Sequence, residues 1–177
     1  MKRIIFFDAD GTLWYPKKTK YNKHPVWVWR KYYPHYERGR KEFILIPGVL
    51  NTLRKLKKKG IILIILSTNP RPLKEANLFI EGSVRHFGVK DFFDEVYGTR
   101  EHPSSKGDYI LKTLKKYGLQ KKDALMVGDS YEWDYKPAKS VGIDSVLIGN
   151  NYGESQHVVK KVKMNVKKIS EILKYVY

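Results

Sequence analysis

The sequence predicts an α/β fold: a three-layer, doubly wound (Rossmann-like) parallel sheet with a small insertion after the first strand. Three observations carry that prediction. Short unbroken apolar runs recur at Ile4–Phe7, Ile61–Leu66 and Ala124–Val127, as in strands buried on both faces. Stretches with apolar residues at helical spacing lie between them and close on glycines. Each apolar run also stops abruptly at polar residues: Asp8-Ala9-Asp10-Gly11-Thr12, Ser67-Thr68-Asn69-Pro70 and Gly128-Asp129-Ser130.

The elements follow in chain order. The first strand runs up to Phe7. Residues 14–46 then break the pattern: Trp14, Trp27, Trp29, Tyr33 and other aromatics alternate with lysines and arginines, punctuated by Pro16, Pro25 and Pro34. Prolines at this density forbid long regular elements, so a hairpin or short helix with loops is expected, hanging over the end of the first strand. After Pro47-Gly48, Val49, Leu50, Leu53 and Leu56 fall on one helical face, with Lys57–Lys59 in the last turn and Gly60 as the cap. A buried strand at 61–66 and a helix over about 72–86, closed by Gly88, come next. Phe92–Tyr97 reads as a short strand. Ser104 or Ser105 is placed to cap a helix carrying Ile110, Leu111, Leu114 and Tyr117, ended by Gly118. The strand at 124–127 leads to a helix from about Glu132 to Gly142. Ser145–Ile148 is a further strand, the Lys-rich stretch 160–168 alternates as an edge strand would, and Ile169–Val176 reads as a terminal helix.

A length of 177 residues suits one domain, 1–177, with a full core. No apolar run nears the roughly 20 residues of a membrane span. The first residues lack the layout of a signal peptide, and with no cysteine in the chain there is no disulfide or thiolate site; together these favour the cytoplasm. The net charge of +17 is unusual, because 35 basic residues face only 18 acidic ones. That excess either solvates and self-repels, keeping the chain soluble, or attracts polyanions and phosphorylated substrates.

The polar residues cluster where ligands bind in such sheets, beyond the carboxyl ends of the strands. Asp8 and Asp10 lie two positions apart, so in extended geometry they point to one side. Like charges that close require a cation or a shared proton. Thr68 and Asn69 end one strand, and Asp129 and Ser130 another. Lys106 falls in the first turn of a helix, where a cation opposes the macrodipole but strengthens an anion site.

Taken in this order, these pieces resemble the haloacid dehalogenase superfamily of phosphotransferases. Asp8-Ala9-Asp10-Gly11-Thr12 resembles its first motif, the strand ending at Thr68 its second, and Lys106 its third. Gly128-Asp129-Ser130-Tyr131-Glu132-Trp133-Asp134, with the helix to Ile143, resembles its fourth. The likeness covers about residues 3–14 and 44–150. It is nearest to the small magnesium-dependent phosphatases without a large cap, through Leu13-Trp14, the passage Gly39-Arg40 to Val49, and Ser104-Ser105-Lys106. Dehalogenase members lack the second aspartate, so Asp10 places the chain with the phosphatases. The resemblance implies Asp8 as nucleophile and Asp10 as general acid and base. It implies Mg²⁺ between the Asp8 and Asp129 carboxylates and the Asp10 carbonyl. Thr68, Asn69 and Lys106 would hold the phosphoryl group, with Asp134 and Ser130 orienting them from behind. Asn69 stands where some relatives carry arginine, which loosens any carry-over of substrate.

The aromatics of 14–46 have two readings. They form a satellite core under the insertion, or Trp14, Trp27, Trp29 and Tyr33 make a substrate wall with Arg30 and Arg38 as outer phosphate contacts. The function expected is a Mg²⁺-dependent phosphomonoesterase acting on a small phosphorylated metabolite or a phosphotyrosine-like ester. The alternatives are a phosphatase of nucleotides or nucleic-acid ends, which the basic, aromatic-rich surface would serve, and a non-enzymatic basic binding module.

Overall fold

The structure, a computed structural model, describes residues 1–69, 72–99, 105–152 and 162–177. The turn at Pro70, Ser104 as a helix cap and the start of the 160–168 stretch lie outside the described residues, while Ser105 is the first residue of a helix.

Six strands form one parallel sheet in the order β5-β4-β1-β6-β7-β8. They are β1 (Ile4–Phe7), β4 (Ile62–Thr68), β5 (Glu95–Thr99), β6 (Ala124–Gly128), β7 (Asp144–Ile148) and the short edge strand β8 (Asn165–Val166). Helices cover both faces, as the unbroken apolar runs require. Ile5 and Phe7 turn toward a core shared with α3 (Val49–Lys58), α4 (Leu73–His86) and the insertion. Ile4 and Phe6 turn toward a second core with α5 (Ser105–Tyr117) and α6 (Lys136–Ser140). This is period-two alternation acting on a strand apolar on both sides.

The central position of β1 makes the site. It pairs with β4 through Phe7↔Ile65 and with β6 through Phe7↔Val127. The strand order reverses direction at β1, so a crevice opens beyond its carboxyl end. Asp8 and Asp10, Thr68 and Asn69, and Asp129 leave three adjacent strands at that crevice.

Three elements differ from the sequence reading. The strand expected at 92–97 begins at Glu95, because Phe93 inserts edge-on against Phe7 and the Asp94 carboxylate accepts the Leu63 N–H at 2.8 Å. Only then does the chain enter the sheet, with Glu95 opposite Ile64. The helix expected from Glu132 is split. A wide turn over Tyr131–Tyr135 precedes α6, and Tyr135 N–H reaches back five residues to the Ser130 carbonyl at 3.1 Å. The terminal segment Ile169–Tyr175 is a tight three-residue-per-turn helix, which stacks Ile169 and Ile172 on one buried stripe.

The insertion is two short strands, a single 3-10 turn at Lys20–Asn22 and two short α-helices. β2 (Trp14–Pro16) pairs antiparallel with β3 (Phe43–Leu45), and α1 (Val26–Lys31) and α2 (Tyr36–Arg40) lie between them. It is fastened on two sides. Arg40 donates to the Phe79 carbonyl at 3.1 Å and the Ser83 hydroxyl at 3.3 Å on α4. Asn151, beyond β7, donates its side-chain amide to Asn22 at 2.7 Å and its backbone N–H to the Tyr21 carbonyl at 2.8 Å.

Candidate active site

Lys106 is buried beneath the crevice with its ammonium between two carboxylates, at 2.6 Å from Asp8 Oδ1 and 2.5 Å from Asp134 Oδ1. The other Asp134 oxygen accepts the Ser130 N–H at 2.9 Å. The wide turn after β6 makes this possible, by carrying Asp134 back under the strand end. Such turns concentrate at functional sites. Gly128 gives the room: a Cβ there would overlap the Asp134 carboxylate. Gly128→Ala is therefore expected to expel Asp134 from its pair with Lys106 and to lower unfolding stability by about 3 kcal/mol or more, measurable by denaturant titration.

Asp129 faces Asp8 across the crevice. Oxygen atoms of Asp8, Asp129 and Asp134 all lie within 4.8 Å of one another. Asp129 Oδ2 accepts the Tyr152 hydroxyl at 2.5 Å and the Asn150 amide at 3.3 Å, while Asn150 also donates to the Asp129 carbonyl at 3.0 Å. Gly11, at φ +82°, has no space for a Cβ, which would meet Asp129 and Tyr152.

The electrostatics follow from three buried carboxylates close together with one ammonium, which pairs directly with two of them, Asp8 and Asp134. Burial raises the Asp8 carboxyl above its usual range despite Lys106. Asp129 rises well above it, through burial and then repulsion from Asp8 and Asp134. Asp134 is pushed up to about 6 by burial and Asp8, against the pull of Lys106. For Lys106, burial alone would favour the neutral amine, but Asp134 and Asp8 overcome it and hold the proton more firmly than usual. A cluster this negative and this close, all oxygen in its donors, matches what a hard divalent cation such as Mg²⁺ takes.

Asp10 is held separately. Its Oδ1 accepts the Trp14 indole N–H at 2.6 Å and its Oδ2 the Trp29 indole N–H at 2.5 Å. Burial carries its carboxyl up to about 6, with the two indoles opposing the rise.

A cavity of about 510 Å³ opens over these groups. Its floor is Asp8, Asp10, Asp129, Asp134 and the strand-end residues Ser67, Thr68 and Asn69; its walls include Trp29, Tyr33, Phe79, Trp133, Arg30 and His24. Lys106 is not on its surface but underneath Asp8. The expected substrate wall is thus only partly present. Trp29, Tyr33 and Arg30 line the cavity, but Trp14 is fully buried with its N–H on Asp10. Trp27 packs beside the core with Lys23 over its ring, and exposed Arg38 lies off the wall on α2. Trp14 and Trp27 are therefore packed into or against the core, while Trp29, Tyr33 and Arg30 line the cavity.

Sequence reasoning missed Tyr152, Asn150, Trp133 and Phe79. Asn150 was findable, since it follows a strand of the parallel sheet just as Asn69 does. Tyr152 carries no such signal. The bonds from Trp14 and Trp29 to Asp10 were missed as well, because indoles read as apolar mass.

Comparison with known proteins comes to the same region of the chain. A family model described as haloacid dehalogenase-like hydrolase matches residues 15–148, so β1 and its two aspartates precede the matched span. Phosphoglycolate phosphatase of Escherichia coli K12 is 31% identical over 134 residues, which are 73% of this chain and 51% of that protein. The enzyme of the same name from Vibrio vulnificus CMCP6 is 30% identical over 124 residues, 68% of this chain and 51% of its own length. The chain thus spans about half the length of the curated relatives it matches. Among solved structures, a predicted phosphoglycolate phosphatase from Haemophilus somnus superposes with a TM-score of 0.74 at 22% identity, covering 99% of this chain and 98% of that one. A phosphatase from Thermococcus onnurineus gives 0.72 at 20% identity, covering 99% and 98%. At those identities the likeness is one of fold.

Proposed function

The chain belongs to the haloacid dehalogenase-like hydrolase family, and from that premise we propose that it is a magnesium-dependent phosphomonoester hydrolase acting through an aspartyl-phosphate. The observation that carries this reading is the meeting of the Asp8, Asp129 and Asp134 carboxylates at the floor of an open cavity, with Lys106 paired to Asp8 and Asp134.

Asp8 is the nucleophile. Its carboxylate attacks phosphorus, the bond from phosphorus to the ester oxygen breaks, and the departing oxygen takes a proton from Asp10. Asp10 then removes a proton from water as that water attacks the aspartyl-phosphate. The bond from phosphorus to Asp8 breaks, inorganic phosphate leaves, and Asp10 is protonated again. The Asp8 and Asp129 carboxylates with the Asp10 carbonyl would hold Mg²⁺, which when bound offsets the repulsion between an anionic nucleophile and an anionic ester. Lys106 keeps Asp8 ionised and aimed from below, and Asp134 fixes Lys106. Thr68 and Asn69, on the cavity floor, hold the phosphoryl oxygens. Little covalent chemistry falls to the protein beyond Asp8 and Asp10, so fixed charge and position supply most of the rate.

The cavity volume of about 510 Å³ falls in the range of small-molecule sites. A small phosphate ester is therefore the proposed substrate, its leaving group lying against Trp29, Tyr33, Phe79 and Trp133. The relatives named phosphoglycolate phosphatase support a small anionic ester, and Arg30 on the wall would meet a second negative charge. The test is hydrolysis of 4-nitrophenyl phosphate. Turnover is expected with Mg²⁺, to vanish on adding chelator and to return with excess metal. Turnover indifferent to chelator, or none with any divalent ion across a panel of sugar, carboxylate, nucleotide and oligonucleotide phosphates, would sink the reading.

A further inference from the structure

Both oxygens of one carboxylate, Asp10, are taken by indole N–H groups. Those indoles come from different elements, and each is locked by its own packing. Trp14 on β2 stacks on Phe87 with ring centroids 4.7 Å apart. Trp29 on α1 stacks on Phe43 at 4.5 Å and meets Phe79 edge-on at 4.8 Å. Offset stacks and edge-to-face contacts fix ring orientation as well as position. The backbone of α2 closes the fit, since a Cβ on Gly39 would lie 3.1 Å from the Trp29 ring. The result is a carboxyl group gripped at both oxygens by donors that cannot rotate away without unstacking.

We propose that Trp29 is a positioning residue for proton transfer, holding the Asp10 carboxyl where the ester oxygen departs, with Trp14 as the fixed second grip. This rests on the assignment of Asp10 as acid and base above. Trp29 is the grip that also lines the cavity, so the helix α1 both walls the substrate and aims the proton. The insertion is thereby part of the chemistry and not only of access.

The inference separates from a packing role by leaving group. When the ester bond breaks, its electron pair goes to the departing oxygen. An alkoxide must be protonated as it leaves, whereas 4-nitrophenolate departs unaided. Trp29→Phe keeps a six-membered ring against Phe43 and Phe79 but removes the five-membered ring that carries the N–H, so the comparison between esters, not the absolute loss, reads the proton. The variant is expected to lower kcat for an alkyl phosphate such as β-glycerophosphate by about 10–100-fold; because Trp29 also lines the cavity, KM shifts for both esters, but the kcat loss on 4-nitrophenyl phosphate should be at least about tenfold smaller than on the alkyl ester. Equal losses on both esters, or a change confined to KM, would overturn the proposal. If Trp29→Phe does not fold, Gly39→Ala displaces the ring from α2 and is expected to give the same selective loss, smaller in size; a uniform loss there overturns it equally. Failure of the function reading is distinct, because the unaltered protein would then hydrolyse neither ester with Mg²⁺.

Discussion

Asp8→Asn is expected to abolish turnover, by about 10⁴-fold or more, on every ester the protein accepts. An amide has the shape of the carboxylate but cannot attack phosphorus. The loss should come without unfolding, and the reason lies in the direction of the Asp8 shift. Burial raises the folded-state value above that of the unfolded chain. Above both values the ionised group is harder to bury than to leave in water, so it subtracts from stability at neutral pH; that penalty lifts as pH falls through the folded value. Removing the charge therefore removes a penalty. In metal-free protein the variant should melt at the same temperature as the parent or higher. A dead enzyme with an unaltered or raised melting temperature identifies Asp8 as chemistry; residual turnover within tenfold of the parent would exclude it as nucleophile.

Lys106→Met should have the largest effect on the fold. The ammonium sits in a dry site between Asp8 and Asp134 at 2.6 and 2.5 Å. Methionine fills a similar volume but leaves two buried carboxylates facing each other. Breaking such a buried pair costs about 3–5 kcal/mol, chiefly because of the charge left behind. That predicts a melting temperature lower by roughly 10 °C for a chain of this size. Adding Asp134→Asn to Lys106→Met should recover much of the stability but none of the activity. The non-additivity is the signature of groups in direct contact. A double variant less stable than the single one would show that Asp134 is held by Ser130 and the turn rather than by the lysine.

Much of this arrangement was legible because it follows from strands. Runs such as Ile4–Phe7 and Ile61–Leu66 have no polar face, so they must lie between two layers. A parallel sheet then delivers whatever ends each strand to one crevice, which is why Asp8, Thr68, Asn69 and Asp129 meet. Lys106 was legible as an oddity, a cation in the wrong turn of a helix, and two carboxylates resolve it. The rest depends on contacts that no local pattern encodes. Trp29 reaches Asp10 across 19 positions because α1 docks through Phe43 and Phe79. Tyr152 meets Asp129 because the loop after β7 is tied to the insertion through Asn151 and Asn22. The start of β5 moved because Phe93 prefers the core to the sheet. In each case tertiary packing, not periodicity, chose the partner.

The distribution of indoles has a practical corollary. The chain has 4 tryptophans; Trp14 and Trp29 donate to Asp10, Trp29 and Trp133 line the cavity, and Trp27 shares a helix with Trp29. Emission excited selectively from the indoles, and not from the 13 tyrosines spread through the chain, thus originates in and around a single small volume. The molecule comes with its own spectroscopic probe: events at the aspartate floor are readable in real time from unlabelled protein, against almost no background from elsewhere in the fold.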